Sequence, residues 1–382
     1  MSVLIVGASA AGLSTAEALR RLGYQDPITI LGAEDSPPYD RPPLSKQYLR
    51  GDWDADRTRL RPDSMLEALG ATFILGDPAI SLDVDRRLVR SAAGRALTAD
   101  AIVIATGLRA RTLPQQAGLA GVHVLRTLAD ATALRAALSN APNVVVVGDG
   151  VLGVELAATA RQLGCTVTLT GPQAAPLESQ FGPMVAGLVA QLRTAEGVRL
   201  RLGTAVLGLT STDGRVNGVR LATGEHLPAE VVIVAIGADP ATEWLAGSGL
   251  QLDNGIVCDS RCRAADGIYA AGDVARWYHD GQKALLRLEN RTNATEQAGC
   301  VAANILGEPR PYTPVPYFWS DQYLTKIQVH GIQAADAELT VVEGDPADHR
   351  FVAHYRRDDR IIAVLGWNMP KQIRLHKQQY LT

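Results

Sequence analysis

Short apolar runs that break into glycine, each followed by a helical stretch, dominate the first three quarters of the chain. Val3–Val6 stops at Gly7, the small residues Ala8-Ser9-Ala10-Ala11-Gly12 follow, and Leu13–Leu22 carries Ala and Leu at i, i+3 and i+4. A second run, Ile28–Leu31, follows Asp26-Pro27 and ends in Gly32-Ala33-Glu34. The pattern then repeats. Val144–Val147 breaks into Gly148-Asp149-Gly150-Val151-Leu152-Gly153 ahead of an Ala-rich helical stretch, and Thr166–Thr170 supplies the next strand. Runs apolar throughout suit strands buried on both faces, so each repeat predicts a βαβ unit on a parallel sheet. In each half a later strand also ends in a small-residue turn: Ile102–Ile104 runs to Ala105-Thr106-Gly107, and Val231–Ile236 to Gly237. Ile268-Tyr269-Ala270 closes on Ala271-Gly272-Asp273. From Pro309 the pattern changes to an aromatic cluster, Tyr317-Phe318-Trp319, with strand-like alternation in Phe351–Tyr355 and Ile361–Leu365. The fold expected is α/β: two Rossmann-like dinucleotide-binding domains, one of them discontinuous (1–109 with 238–306, and 110–237), and a small C-terminal α+β domain (307–382).

Composition narrows the setting. At 382 residues the chain is long enough for two or three cores. A net charge of −3 with 20% charged residues leaves no field for nucleic acid or an anionic membrane. No apolar run is long enough to span a bilayer, which makes the cytoplasm the expected location. Cys165, Cys258, Cys262 and Cys300 show no C-x-x-C pair and no zinc spacing, so structural thiols and no metal site are expected.

The glycine turns bring in chemistry. A turn of tiny residues lets backbone N–H groups and a helix N-terminus face a pyrophosphate. Gly148-x-Gly150-x-x-Gly153 is complete, with its strand before and its helix after; in the first turn Ser9 replaces the middle glycine. Glu34 stands about where an acid meets the adenosine ribose, although Glu34 and Asp35 also suit a solvated loop. The stretch Ser36–Lys46 holds four prolines around Arg41 and Lys46, a stiff arm that either faces a ligand or is a rigid surface connection.

Two nucleotide turns with Tyr39-Asp40-Arg41-Pro42-Pro43-Leu44-Ser45-Lys46, Ala271-Gly272-Asp273, Arg287-Leu288-Glu289 and Pro316-Tyr317-Phe318-Trp319-Ser320-Asp321-Gln322 give the whole chain its resemblance. It resembles the pyridine-nucleotide-dependent flavoprotein reductases of the glutathione-reductase superfamily, and among them the ferredoxin and rubredoxin reductases that serve bacterial oxygenases. The resemblance implies FAD on the first turn and NADH, or NADPH, on the second. For FAD it implies contacts from Gly7, Ser9, Ala10, Ala11, Gly12, Ala33, Glu34, Arg41, Pro43, Lys46, Ala79, Ala105, Thr106, Gly107, Arg126, Gly272, Asp273, Glu289, Arg291 and Trp319. Ala11 and Ala33 would act through backbone, Ala79 would lie by the adenine, Arg126 would pair with phosphate or adenosine, and Asp273 would bond the ribityl chain. For the nicotinamide nucleotide it implies Gly148, Gly150, Val151, Leu152, Gly153, Glu155 and Gly237. Lys46 would sit beside the isoalloxazine, where a cation favouring the reduced, anionic ring by about 2 kcal/mol would raise its two-electron potential by about 40 mV. Lys46 and Glu155 are thus the catalytic candidates. Glu155 suits either the nicotinamide ribose or carboxamide, or a carboxylate at a helix N-terminus.

The chain also departs from the family. After the strand 166–170, where an acid would select NADH and an arginine NADPH, it has Gly171-Pro172-Gln173 and neither signal. Arg291 replaces an apolar or aromatic residue and could meet reduced flavin, an acidic partner or solvent. Residues 1–164 contain no cysteine, so electrons cannot leave the flavin through a thiol there. The implied acceptor is a [2Fe-2S] ferredoxin or a rubredoxin, and indirectly a haem or Rieske oxygenase, with the reductase a monomer or weak homodimer. After Asp359 the tail has no acidic residue but carries Arg360, Lys371, Arg374 and Lys377, a candidate docking face for an acidic partner. Two further functions fit the same cofactors: a flavin reductase or oxidase of small acceptors such as oxygen or quinones, and a flavin-binding redox sensor.

Overall fold

The structure, a computed structural model, describes residues 1–322, 325–334 and 336–381. The chain divides by its internal contacts into two compact units. The first comprises Met1–Asp40, Asp56–Arg109 and Asp239–Pro314, and the second Arg41–Ala55, Ala110–Ala238 and Val315–Thr382.

In the first unit, six strands form a sheet in the order Arg263–Ala265, Ile268–Ala270, Ala101–Ile104, Val3–Val6, Ile28–Leu31 and Thr72–Ile74. All neighbours are parallel except the edge pair 263–265 with 268–270. Every residue of Val3–Val6 and of Ala101–Ile104 is buried, which is why these strands read as unbroken apolar runs. The helix Ala10–Arg21, which starts three residues before its apolar periodicity does, packs on the helix Arg291–Ile305. Their buried faces include Ala11, Ala18, Ala294, Ala298 and Ala302, and side chains this small let two helices approach closely. The Asn290 side chain caps the second helix by accepting from the Asn293 N–H at 2.8 Å. An antiparallel three-stranded sheet is built from Ala79–Asp83, Leu88–Ser91 and Ala96–Thr98.

The second unit repeats the parallel arrangement. Its five-stranded sheet runs Arg199–Leu202, Thr166–Gly171, Asn143–Val147, Val231–Val234, Val122–His123. The helix Val151–Gln162 follows the central strand, and the helix Leu128–Leu138 opens on a capping box made by Thr127 and Asp130. The C-terminal segment of this unit forms an antiparallel sheet in the order Tyr317–Gln322, Thr325–Gly331, Arg360–Trp367, Arg350–Arg357, Glu338–Asp345, with the helix Pro370–Tyr380 against it. Phe351–Tyr355 is buried throughout rather than alternating. Both faces are covered: the Tyr355 hydroxyl donates to the Phe181 carbonyl at 2.8 Å, while His354 on the other face meets His376 of the last helix at 2.7 Å.

Candidate functional site

The two glycine turns are built alike. Gly7 N–H donates to the Leu31 carbonyl at 2.7 Å, and Gly148 N–H to that of Thr170 at 2.8 Å, so each turn leaves its strand beside the end of the next. Gly7 and Gly148 have φ of 122° and 121°, where a side chain is strained, and a Cβ on either would strike the Ala105 or Ala235 carbonyl. A Cβ on Gly12 or Gly153 would collide with the carbonyl of Gly7 or Gly148, so these third glycines let each helix start against its strand.

Both turns fit a dinucleotide. Neither helix has an acid in its first turn or a side-chain cap, so its first-turn N–H groups and dipole are presented to an anion. At Gly150 a side chain would extend into open space, the room a pyrophosphate needs. In the first unit Ala8, Ala10 and Ala11 keep the approach low around Ser9. Gly272 meets that turn from the far end of the chain: its φ is 76°, a Cβ there would stand 2.9 Å from Ala11 Cβ, and its N–H donates to Gln297 Oε1 at 2.8 Å. This brings Asp273 to the first glycine turn. Thr106 Oγ1 donates to the Ala241 carbonyl at 2.9 Å, fixing the turn Ala105-Thr106-Gly107. Glu34, just after Gly32-Ala33, accepts a hydrogen bond from the Tyr39 hydroxyl, which orients its carboxylate.

In the second unit, Lys46 and Glu155 meet although 109 positions separate them. Lys46 Nζ lies 2.7 Å from Glu155 Oε2, and Ser45 Oγ donates to the same oxygen at 2.7 Å. The Thr159 hydroxyl holds the arm by donating to the Ser45 carbonyl at 2.7 Å. Gln47, Arg50, Gln162 and Asp321 join Lys46 and Glu155 around a cavity of about 110 Å³. Glu155 is the fifth residue of its helix, beyond the first turn, so its carboxylate is balanced by Lys46 rather than by the dipole. Leu152 and Gly153 lie in that first turn with Val151. Gly237 closes the neighbouring strand end, its carbonyl accepting from Arg111 N–H at 3.0 Å.

Other expected site residues have partners that the sequence did not reveal. Arg291 pairs with Asp40 at 2.9 Å inside the first unit. Glu289 pairs with Arg287 at 2.7 Å, and Arg287 also donates to the Asp273 carbonyl at 3.1 Å. Arg41 Nε donates to the Arg126 carbonyl at 3.2 Å, beside the buried Pro43. Ala79 begins a strand opposite Ser91. Trp319 stacks on Tyr317, whose phenol is shifted upward by burial. Asp149, inside the second turn, was not singled out as a site residue. It is 5% exposed and accepts from Gln173 N–H at 2.8 Å and Gln173 Nε2 at 2.7 Å. The available signal was an acid within the glycine turn paired with a missing acid at the strand end.

All four cysteines are free and buried. Burial pushes the Cys165, Cys258 and Cys262 thiols up, whereas the hydrogen bond with Cys262 draws the Cys300 thiol down.

Residues 1–298 match the model of the pyridine nucleotide-disulphide oxidoreductase family, and residues 317–380 a reductase C-terminal domain. The rhodocoxin reductase of Rhodococcus erythropolis is 37% identical over 97% of this chain and 87% of its own length. A rubredoxin-NAD(+) reductase of Pseudomonas putida is 34% identical over 97% of each chain. The solved structure of a covalent putidaredoxin reductase–putidaredoxin complex matches with a TM-score of 0.94 and 36% identity, covering 99% of this chain and 92% of that one.

Proposed function

The chain belongs to the pyridine nucleotide-disulphide oxidoreductase family, and from that membership we propose a flavoprotein electron-transfer reductase. It takes hydride from NAD(P)H onto FAD and passes single electrons to a [2Fe-2S] ferredoxin or a rubredoxin that feeds an oxygenase. The relatives of similar length bear names of this activity, and the observation that carries the reading is where the thiols are. Residues 1–164 contain none, and the four that follow are buried, so no dithiol relay lies on the arm or the FAD turn. Electrons therefore leave from the flavin itself.

Bound FAD supplies acceptance of two electrons as hydride and their release one at a time. The chain's own residues bind and orient. The first turn, with Gly272 and Asp273, holds FAD; the second turn, with Gly237, holds the nicotinamide nucleotide; Lys46 is the cation that favours the reduced ring, with Glu155 as its counter-ion. We assign residues 1–109 and 238–306 to FAD and 110–237 to NAD(P)H, with 307–382 a small C-terminal α+β domain. Catalysis here is positioning and electrostatics, with no nucleophile.

A cytoplasmic location is proposed from the four free thiols, which suit a reducing compartment. Among the described residues no helix is long and apolar enough to cross a membrane.

Anaerobic rapid mixing tests the function. The yellow protein should bleach with a nicotinamide donor and regain its colour when ferredoxin or rubredoxin is added, with little oxygen consumption in air. Fast oxygen reduction and no reoxidation by either acceptor would reverse the reading. A thiol-alkylating reagent should leave native turnover unchanged.

A further inference from the structure

The strand Thr166–Gly171 ends where an acid would mark an NADH enzyme and a nearby arginine an NADPH enzyme, and it ends in glycine. The space over that glycine is nevertheless filled by a carboxylate. A Cβ built on Gly171 would have Asp149 Oδ2, Cγ and Cβ as its three nearest atoms, the Cβ at 2.7 Å. The first unit shares the geometry without the charge: a Cβ on Gly32 would stand 2.7 Å from Ala8 Cβ, Ala8 being the second residue of its turn as Asp149 is of the second. In both turns, this position projects over the end of the neighbouring strand. In the second it carries an acid.

We propose that Asp149, reaching over Gly171 from the glycine turn, receives the adenosine ribose 2′-hydroxyl and selects NADH against NADPH. The inference rests on the second turn binding a nicotinamide nucleotide. A carboxylate offers about four lone-pair sites. Gln173 N–H occupies one on Oδ2 and Gln173 Nε2 one on Oδ1, leaving each oxygen able to accept from a ribose hydroxyl. Those two bonds fix the carboxylate before the ligand arrives, which lowers the ordering cost of binding. A 2′-phosphate would meet charge of its own sign. No lysine or arginine occurs between Arg161 and Arg193, and the one carboxylic side chain of residues 171–182 is Glu178, held by the N–H groups of Ala174 and Ala175 at 3.1 and 3.2 Å. Since Asp149 is 5% exposed, water screens that repulsion poorly.

The geometry also makes the acid exchangeable. With Asp149 gone, the three atoms nearest to a side chain at 171 go with it, so the acid can be moved to the strand end. The FAD-loaded protein is titrated calorimetrically with ADP-ribose and with 2′-phospho-ADP-ribose. Wild type should bind ADP-ribose at least about tenfold more tightly. Asp149→Gly and the isosteric Asp149→Asn should each reduce that ratio about tenfold. Asp149→Gly with Gly171→Asp should restore it, whereas Gly171→Asp alone, forced against Asp149, should lower Tm and weaken both ligands. Equal binding of the two ligands by wild type, or an unchanged ratio in both folded Asp149 variants, would overturn the role of Asp149 and leave the nucleotide site standing. Binding of neither ligand by wild type would overturn both.

Discussion

At the scale of single residues, the pair Lys46–Glu155 sets the electrostatics assigned to the flavin. An ammonium with its counter-ion at 2.7 Å acts as a dipole as much as a charge, so its effect is read by removing each end in turn. Lys46→Ala should lower the two-electron midpoint potential of the bound flavin by about 40 mV, and Glu155→Gln should raise it by about 30 mV, as a change of about 1.4 kcal/mol per 30 mV requires. The double variant should return to within about 10 mV of wild type. Redox titration of the purified proteins checks this, and potentials unmoved in both single variants would remove Lys46 from the flavin. The residue types were readable in the chain, because a stiff proline arm ending in lysine and an acid after a glycine turn are local features. Their pairing was not, since a contact across 109 positions depends on where the arm folds back. The same holds for Arg291, whose partner Asp40 is 251 positions away.

At the scale of elements, the strands with their glycine turns were legible because an apolar run stopping at glycine carries its own physical cause. The strands of the C-terminal sheet were legible as strands but not in their burial. Phe351–Tyr355 contains His354 and alternates on paper, yet it is covered on both faces because the last helix and the Phe181 segment lie on opposite sides. This sheet also buries His330, stacked on Tyr317 at 4.5 Å with its Nδ1 lacking a hydrogen-bond partner among the described residues. Burial, aided by Lys377, lowers its pKa from 6.5 to about 4. In the window from about 6.5 down to about 4 the unfolded chain therefore binds the proton that the native imidazole refuses, so native stability falls as pH falls. The loss approaches about 3 kcal/mol at the acid end and vanishes above pH 6.5. His330→Phe should flatten the drop in Tm between pH 7 and pH 5, and an equal drop in both proteins would remove His330 as its source.

At the scale of the whole molecule, we propose the last helix as part of the acceptor's docking surface. Its buried Ile373 packs against Gly366, where a Cβ would stand 2.9 Å from the isoleucine, while Lys371, Arg374 and Leu375 are exposed. A cationic face with one apolar residue suits a weak, salt-sensitive encounter with an acidic iron–sulfur protein. Reversing Lys371 and Arg374 to Glu should raise the apparent KM for ferredoxin severalfold and spare reduction of a small dye; equal effects on both substrates would move the docking surface elsewhere. The sequence by itself determined the duplicated βαβ turns and the absence of any cysteine from residues 1–164. Each depends on what neighbouring residues can do: glycine alone allows the close approach, and a missing cysteine is missing in any fold. Only the tertiary structure decided that Glu155 answers Lys46, that Asp40 pairs with Arg291, and that Asp149 fills the place left by Gly171. Charge acts through space, and the distance between two groups is set by how the strands and helices pack, not by their separation along the chain.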